Sequence, residues 1–182
     1  MKDWEKTIKP LVIMVICISL ICSLCTCRLE ESYTEFYIQD VTDHLNQDLF
    51  LSDDLSFAKI LDVIIVPEIR EINHGEYIIY ISAYAKDDKQ TINVKKVLIQ
   101  EQEATLFTRE LNEEIGLEKN NEAIYEGWID GGTFSKTDLE VTDGKRYQLI
   151  IEVEVTNDED ALSKCISYEV VIKGYKSFVL PT

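Results

Sequence analysis

Hydrophobic and polar residues alternate along much of the chain beyond residue 56, a pattern that is typical of half-buried β-strands. The clearest example is the segment 146–156, in which the apolar residues share one parity and the other parity is mostly polar. The apolar positions are Tyr147, Leu149, Ile151, Val153 and Val155. One dry face and one wet face predict a strand of an antiparallel sheet, with Val153 directed into the core.

The same alternation predicts several more strands, two of which carry special features. Residues 76–85 are apolar on both faces, which predicts a central strand. In residues 92–99 the apolar parity reverses at Lys95 and Lys96, which indicates a β-bulge. The other predicted strands are 60–66, which ends or lies at a sheet edge at Pro67, and then 123–129, 165–173 and 175–180.

Clusters rich in Gly, Asn and Asp separate these strands and predict turns. The clusters are Asn73-His74-Gly75, Asp87-Asp88-Lys89, Asp130-Gly131-Gly132 and Thr142-Asp143-Gly144-Lys145, and a bend is expected at Gly174. Turns at such short intervals favour antiparallel connections between neighbouring strands.

Two segments show apolar residues four positions apart, which predicts helices. Segment 32–51 combines this spacing with a capping box at its start, and a strand over 35–41 is the alternative. Segment 103–118 has the same spacing, with Gly116 placed as a C-cap residue.

Six to eight mostly antiparallel strands bury their apolar faces best as two sheets packed face to face. The sequence therefore predicts a mainly β protein, with an immunoglobulin-like antiparallel β-sandwich over residues 57–182. Residues 28–56 are expected to form a tether with a short amphipathic helix. Residues 1–27 are expected to form a signal peptide or a membrane-anchor helix.

The leader contains a long uncharged run from Leu11 to Cys27. The lysines ahead of it favour an N-terminus in the cytoplasm and a body on the extracytoplasmic side. As a helix, the run is a little shorter than the hydrocarbon core of a bilayer, so a retained anchor is one interpretation. A cleaved secretory signal is another, although the usual A-x-A ending is absent because the first alanine is Ala58.

The end of this run, Leu24-Cys25-Thr26-Cys27, resembles the lipobox of bacterial membrane lipoproteins. Leu24 and Cys27 match that pattern, and Thr26 stands where Gly, Ala or Ser is usual. The resemblance implies cleavage before Cys27 and lipidation of Cys27, which would hold the protein at the extracytoplasmic face of the cell membrane. It covers the leader alone, so a retained anchor and simple secretion stay open.

The chain is strongly acidic, with a formal net charge of −16. Such a body is repelled by nucleic acid and by anionic lipid headgroups, so nucleic acid is excluded as a partner. We expect the body to stand off the membrane to which its leader attaches it. A second envelope protein or a cell-wall component is the expected partner.

Cysteine positions bear on both redox state and chemistry. Of the five cysteines, only Cys165 lies outside the leader, so the body cannot form an internal disulfide. Cys165 falls in an apolar-rich strand, which predicts a buried and inert thiol. The body must therefore be stable through its core alone.

No catalytic residue is predicted. The chain has two histidines and neither a G-x-S-x-G nor an H-E-x-x-H motif, so a base or nucleophile for hydrolysis is not visible. A membrane-tethered binding or structural module of the cell envelope is therefore the favoured function. An extracytoplasmic enzyme, or a calcium-dependent sensor that uses the acidic loops, is the alternative.

Two sets of residues are candidates for a ligand site. Hard cations bind oxygen ligands from acidic loops, although the spacing of an EF-hand is absent and no cofactor is predicted. The candidate metal ligands are Asp130, Asp138, Asp143, Asp158 and Asp160. The candidates for a carbohydrate or peptide site are Tyr125, Trp128 and Phe134. A core position is the competing expectation for Trp128, because large aromatic side chains dominate core burial.

Overall fold

The computed structural model describes the chain at residues 29–38, 53–120 and 124–179. The chain divides into two compact units, Met1–Tyr33 with Tyr175–Thr182, and Thr34–Gly174. The described part of the first unit consists of strand residues 29–33 and 175–179. All remaining described residues belong to the second unit.

Strands make up most of the described chain, and no α-helix occurs within it. The strands are β1 Leu29–Ile38, β2 Lys59–Ile60, β3 Val63–Asn73, β4 Glu76–Ala85, β5 Thr91–Glu101, β6 Ala104–Ile115, β7 Glu118–Lys119, β8 Tyr125–Ser135, β9 Arg146–Thr156 and β10 Ala161–Val179. A 3-10 helix, Asp53–Ala58, precedes β2. None of the described residues forms a helix long and apolar enough to cross a membrane, and the run from Leu11 to Cys27 lies outside the described residues.

The strands form two five-stranded antiparallel sheets, so the prediction of a mainly β, two-sheet protein is confirmed. The first sheet has the order β1-β10-β9-β5-β6, and the second has the order β2-β3-β4-β8-β7. Hairpins join β3 to β4, β5 to β6 and β9 to β10 within a sheet. Between β3 and β9 the chain changes sheet after β4, after β6 and after β8, so the strands of the two sheets alternate along the sequence.

One apolar core, built from both sheets, holds residues 34–174 together. The ring of Phe36 in β1 lies 4.7 Å from that of Tyr77 in β4 and 5.8 Å from that of Phe134 in β8. The Tyr168 hydroxyl of β10 donates a hydrogen bond of 2.6 Å to the Ile65 carbonyl of β3, and burial raises the pKa of this phenol. These contacts join the first sheet to the second directly.

The strongest alternating patterns in the sequence are confirmed. β9 buries the residues of one parity, with Val153 fully buried, and leaves the other parity half-buried or exposed. β4 has the predicted bounds and lies between β3 and β8. The register of β5 against both neighbours shifts between Val94 and Lys96, which is the predicted bulge. Gly75 completes the predicted turn with φ +82°, a conformation that suits glycine.

Both helix predictions fail where they can be compared with the structure. Residues 32–38 belong to strand β1, and residues 39–51 of that predicted helix lie outside the described residues. Segment 104–115 is strand β6 at the edge of the first sheet. The physical reason is that residues four apart share a face in a strand as well as in a helix, so the spacing alone does not separate the two.

Three local expectations are also wrong. The cluster Asp130-Gly131-Gly132 is a bulge inside β8 and not a turn, because the β4–β8 register shifts opposite it. Gly174 lies within β10 and does not interrupt it. Cys165 is exposed, because its parity in β10 is opposite to that of the buried residues Ile166 and Tyr168.

Pro67 does not end β3. It lies beyond the residues of β3 that pair with β2, so this side of β3 is a sheet edge at Pro67, which was one of the two predicted alternatives.

A polar network fixes the start of β9. The Tyr147 hydroxyl donates a hydrogen bond of 2.7 Å to the Glu140 carbonyl oxygen. Lys145 Nζ lies 2.7 Å from a Glu101 carboxylate oxygen and 3.0 Å from one of Glu140. Hydrogen bonds to these two carboxylates raise the pKa of Lys145 above its ordinary value.

The buried face of β9 generates a stability prediction. We expect Val153→Asp to cost several kcal/mol of the roughly 5–15 kcal/mol that stabilise a domain, because it places a carboxylate in an apolar layer without a partner. Gln148→Lys, on the exposed face of the same strand, is the control and should cost less than about 0.5 kcal/mol. Urea unfolding measures both; a folded Val153→Asp variant of normal stability would contradict the assignment of faces.

Candidate binding face

The outer face of the second sheet carries an exposed aromatic cluster. Alternation along β4 places Tyr80 and Tyr84 on the side away from the core, where both are half-buried. Trp128 of β8 pairs with Ser82 of β4 and therefore lies on the same face. Its side chain is 64% exposed, which is unusual for so large an apolar group. We call this surface the Trp128 face.

Neighbouring groups hold the aromatic cluster in a defined geometry. The rings of Tyr80 and Trp128 meet edge to face, with centroids 5.5 Å apart. The Arg70 guanidinium lies 5.4 Å from the centre of the Tyr80 ring, and Arg70 Nη2 donates a hydrogen bond of 2.6 Å to Glu68. This hydrogen bond raises the pKa of Arg70. The Glu68–Arg70 pair therefore steadies Tyr80, and Tyr80 in turn supports one edge of Trp128.

Two depressions flank the indole of Trp128. The larger, of about 500 Å³, is lined by Ser82, Tyr84, Gly116, Glu118, Lys119, Glu126, Gly127 and Trp128. The smaller, of about 350 Å³, is lined by Glu68, Arg70, Tyr80, Ser82 and Trp128. Since both contain Trp128 and Ser82, the indole stands between two hollows that run across the strands. We call the larger hollow the Glu pocket.

Two glycines shape the wall of the Glu pocket. A β-carbon at Gly127 would lie 2.1 Å from the Gly116 carbonyl oxygen and 2.8 Å from a methyl carbon of Ile115. The segment after β6 can therefore approach β8 closely only because position 127 has no side chain. Gly116 itself has open space where a β-carbon would be.

Two glutamates occupy paired positions at the rim of the Glu pocket. Glu118 of β7 and Glu126 of β8 are directly paired across the strands, and both are exposed. Asn120 Nδ2 donates a hydrogen bond of 3.3 Å to Glu126, and neither carboxylate forms an ion pair with another described residue. Lys119 is the only cation among the described residues that line the pocket, and its ammonium lies 5.7 Å from the Tyr125 ring centre.

The aromatic candidates from the sequence have three different environments. Phe134 is 2% exposed and packs in the core against Phe36, Tyr77 and Phe107. Tyr125 is half-buried beside Lys119. Trp128 is directed outward, contrary to the expectation that it fills the core. Tyr80, Tyr84, Glu118 and Glu126 were not singled out from the sequence, although the alternation in 76–85 placed Tyr80 and Tyr84 on the face opposite to Tyr77.

The five candidate aspartates lie in different local structures, and three of them bind the backbone. Asp130 accepts a hydrogen bond of 2.7 Å from the Gly132 amide and lies 3.4 Å from Arg109 Nη1. Asp138 accepts hydrogen bonds from the Ser135 amide at 2.7 Å and its hydroxyl at 2.8 Å, which lower the pKa of this carboxyl. Asp143 accepts a hydrogen bond of 2.9 Å from the Gly174 amide.

The acidic loop after β9 is organised by an asparagine. Asn157 Oδ1 accepts hydrogen bonds from the amides of Glu159, at 2.9 Å, and Asp160, at 2.7 Å. Asp158 and Asp160 are exposed on this loop. Within the described chain, no three His, Cys, Asp or Glu side chains are grouped so that they could hold a metal ion.

Comparisons with known proteins do not assign this chain to a family. No family model, no curated protein and no solved structure matches it.

The close approach at Gly127 generates a second prediction. We expect Gly127→Ala to destabilise the domain by about 1–3 kcal/mol, because the added methyl group forces the Gly116 backbone away from β8. Gly116→Ala adds the same group to open space and should change the free energy of unfolding by less than about 0.5 kcal/mol. Equal effects in urea unfolding would contradict the described wall of the Glu pocket.

Proposed function

We propose that this protein is a membrane-tethered extracytoplasmic binding module of the cell envelope, built as an immunoglobulin-like β-sandwich, which contacts its partner through the Trp128 face. The observation that carries the proposal is the 64% exposure of Trp128 within a supported aromatic cluster. Tryptophan and tyrosine on a protein surface are the residues that most often dominate binding energy.

Strand order supports the immunoglobulin-like assignment. In that fold, strands A-B-E-D form one sheet, and C and C′ join F and G in the other. Here β3-β4-β8-β7 follow the first order and β6-β5-β9-β10 the order C′-C-F-G, with β1 and β2 added at the outer edges. Tyr147 stands at the start of the strand in position F and hydrogen bonds the carbonyl of Glu140, seven residues upstream, which resembles a tyrosine corner.

The leader supports the location at the membrane. Lysines precede an uncharged run, and Leu24 and Cys27 match the lipobox pattern. A lipid on Cys27 would leave the acidic body outside the membrane, where its net negative charge is repelled by anionic headgroups.

Binding fits the arrangement of side chains better than catalysis or calcium sensing. The five candidate aspartates are spread over separate turns and a bulge, and three of them already bind backbone amides. The Trp128 face instead joins exposed apolar area to charged groups at its rim, which is the usual composition of a contact surface.

Lipidation of Cys27 is tested by mass spectrometry of the protein from the membrane fraction. We expect a mature chain that begins at Cys27 with a diacylglyceryl thioether, because Leu24 and Cys27 match the lipobox. Cys27→Ser should abolish the modification, and Cys25→Ser, two residues earlier, is the matched control that should retain it. A chain that keeps Met1, or one that starts beyond Cys27, would contradict the lipid tether.

The role of the Trp128 face is tested by binding of the full-length protein to envelopes isolated from native host cells that lack it. Trp128→Ala should weaken binding by about 30-fold, since truncating a central tryptophan typically costs about 2 kcal/mol or more. Leu162→Ala removes another exposed apolar side chain, 46% exposed on the first sheet, and should have little effect. Unchanged binding of Trp128→Ala would exclude this face as the contact surface.

A further inference from the structure

The pairing of β7 with β8 places two acidic residues opposite each other. Two acids of the first sheet are paired with cations of the neighbouring strand β5: Glu110 lies 2.7 Å from Lys96 Nζ, and Glu154 lies 3.0 Å from Lys95 Nζ. At the Glu pocket, by contrast, Glu118 and Glu126 occupy directly paired positions of neighbouring strands. Like charges directly opposite one another destabilise a sheet, so this pair is unfavourable in the free protein.

We propose that the Glu pocket binds the cationic side chain of a lysine or arginine carried by an extended segment of a partner protein. This inference rests on the proposed function and names the chemistry of its partner. An ammonium or guanidinium placed between Glu118 and Glu126 removes their repulsion and forms charge-assisted hydrogen bonds to both.

Aromatic rings complete the cation site. Tyr84 and Trp128 line the same pocket as the two carboxylates. A cation above an aromatic face is stabilised by the ring quadrupole, and tryptophan is the strongest partner. The same sheet already contains this contact twice, between Arg70 and Tyr80 at 5.4 Å and between Lys119 and Tyr125 at 5.7 Å.

The shape of the surface fits a segment rather than a single amino acid. The two hollows lie on either side of Trp128, so a chain that crosses the strands can fill the Glu pocket with one side chain and continue past the indole. At the second hollow the Glu68–Arg70 pair is already neutralised internally, which leaves the charge selectivity to the Glu pocket.

Overall charge favours the same partner. The chain has a formal net charge of −16, which attracts basic segments and repels anionic polymers of the cell wall. A neutral sugar could stack on Trp128, but it would not relieve the repulsion between Glu118 and Glu126. The carboxylate pair therefore distinguishes a basic peptide from a glycan.

The inference is tested with the full-length protein in non-ionic detergent, with octalysine as the probe and isothermal titration calorimetry as the measurement. We expect the Glu118→Gln, Glu126→Gln double variant to bind octalysine about tenfold more weakly, because both charge-assisted contacts are lost. Trp128→Ala should also weaken binding by about tenfold through the lost cation–π contact. The matched control is Glu113→Gln with Glu114→Gln, which removes the same charge from exposed positions of β6 and should change affinity by less than about twofold.

Each contrary outcome has a distinct meaning. Absence of octalysine binding, or an equal loss in the two double variants, would overturn the inference, because any attraction would then be diffuse. Binding of a neutral N-acetylglucosamine hexamer that needs Trp128 but not the glutamates would also overturn it and would identify a glycan as the occupant. That second result would leave the proposed role of the Trp128 face intact, whereas unchanged envelope binding by Trp128→Ala would refute that role itself.

Discussion

Burial of one apolar layer between the two sheets is the interaction on which residues 34–174 depend. The single cysteine outside the leader excludes an internal disulfide of the body, so no disulfide adds to the stability that the core provides. The layer is closed by aromatic contacts, such as those of Phe36 with Tyr77 and Phe134, and by the buried hydroxyl of Tyr168 on the Ile65 carbonyl. Because the chain crosses between the sheets three times within residues 63–156, neither sheet can form its complete hydrogen-bonded ladder without the other. Formation of the core and formation of the two sheets therefore depend on each other.

The core determines the inward side chains of each sheet but not the outward ones, which are available for binding. Phe134 and Trp128 lie on the same strand, yet the first fills the core and the second is directed to water. The bulge at Gly131 lies between them and adds one residue to β8. Both residue numbers are even, but because of the extra residue the two side chains lie on opposite faces of the sheet. The close approach of Gly116 to Gly127 then brings β7, and with it Glu118, alongside the outward residues of β8. The Trp128 face is thus produced by backbone features of the fold, although the core does not require its aromatic side chains.

Sequence reasoning succeeded where a single strand determines the outcome. Parity identified the buried face of β9 and the bulge at Lys95, and apolar residues on both faces identified the central position of β4. Sequence reasoning failed for β6, because the four-residue spacing of Phe107, Leu111 and Ile115 is twice the strand period and close to one helical turn, so it places these residues on one face in either structure. The candidate site needed information that no single strand contains. The β8 bulge decides the side on which Trp128 lies, and the pairing of Glu118 with Glu126 depends on the register between β7 and β8.

Solvent access to Trp128 tests the central claim most directly, because the faces of β8 decide both the core and the binding surface. Trp128 is the only tryptophan of a chain cleaved before Cys27, and Trp4→Phe makes it the only tryptophan of an uncleaved chain as well. In detergent, we predict a red-shifted, solvent-like emission that acrylamide quenches efficiently and that unfolding in urea changes little. A one-residue slip of β8 would exchange its inward and outward side chains. A blue-shifted emission that acrylamide quenches only after unfolding would place Trp128 in the core and contradict the account.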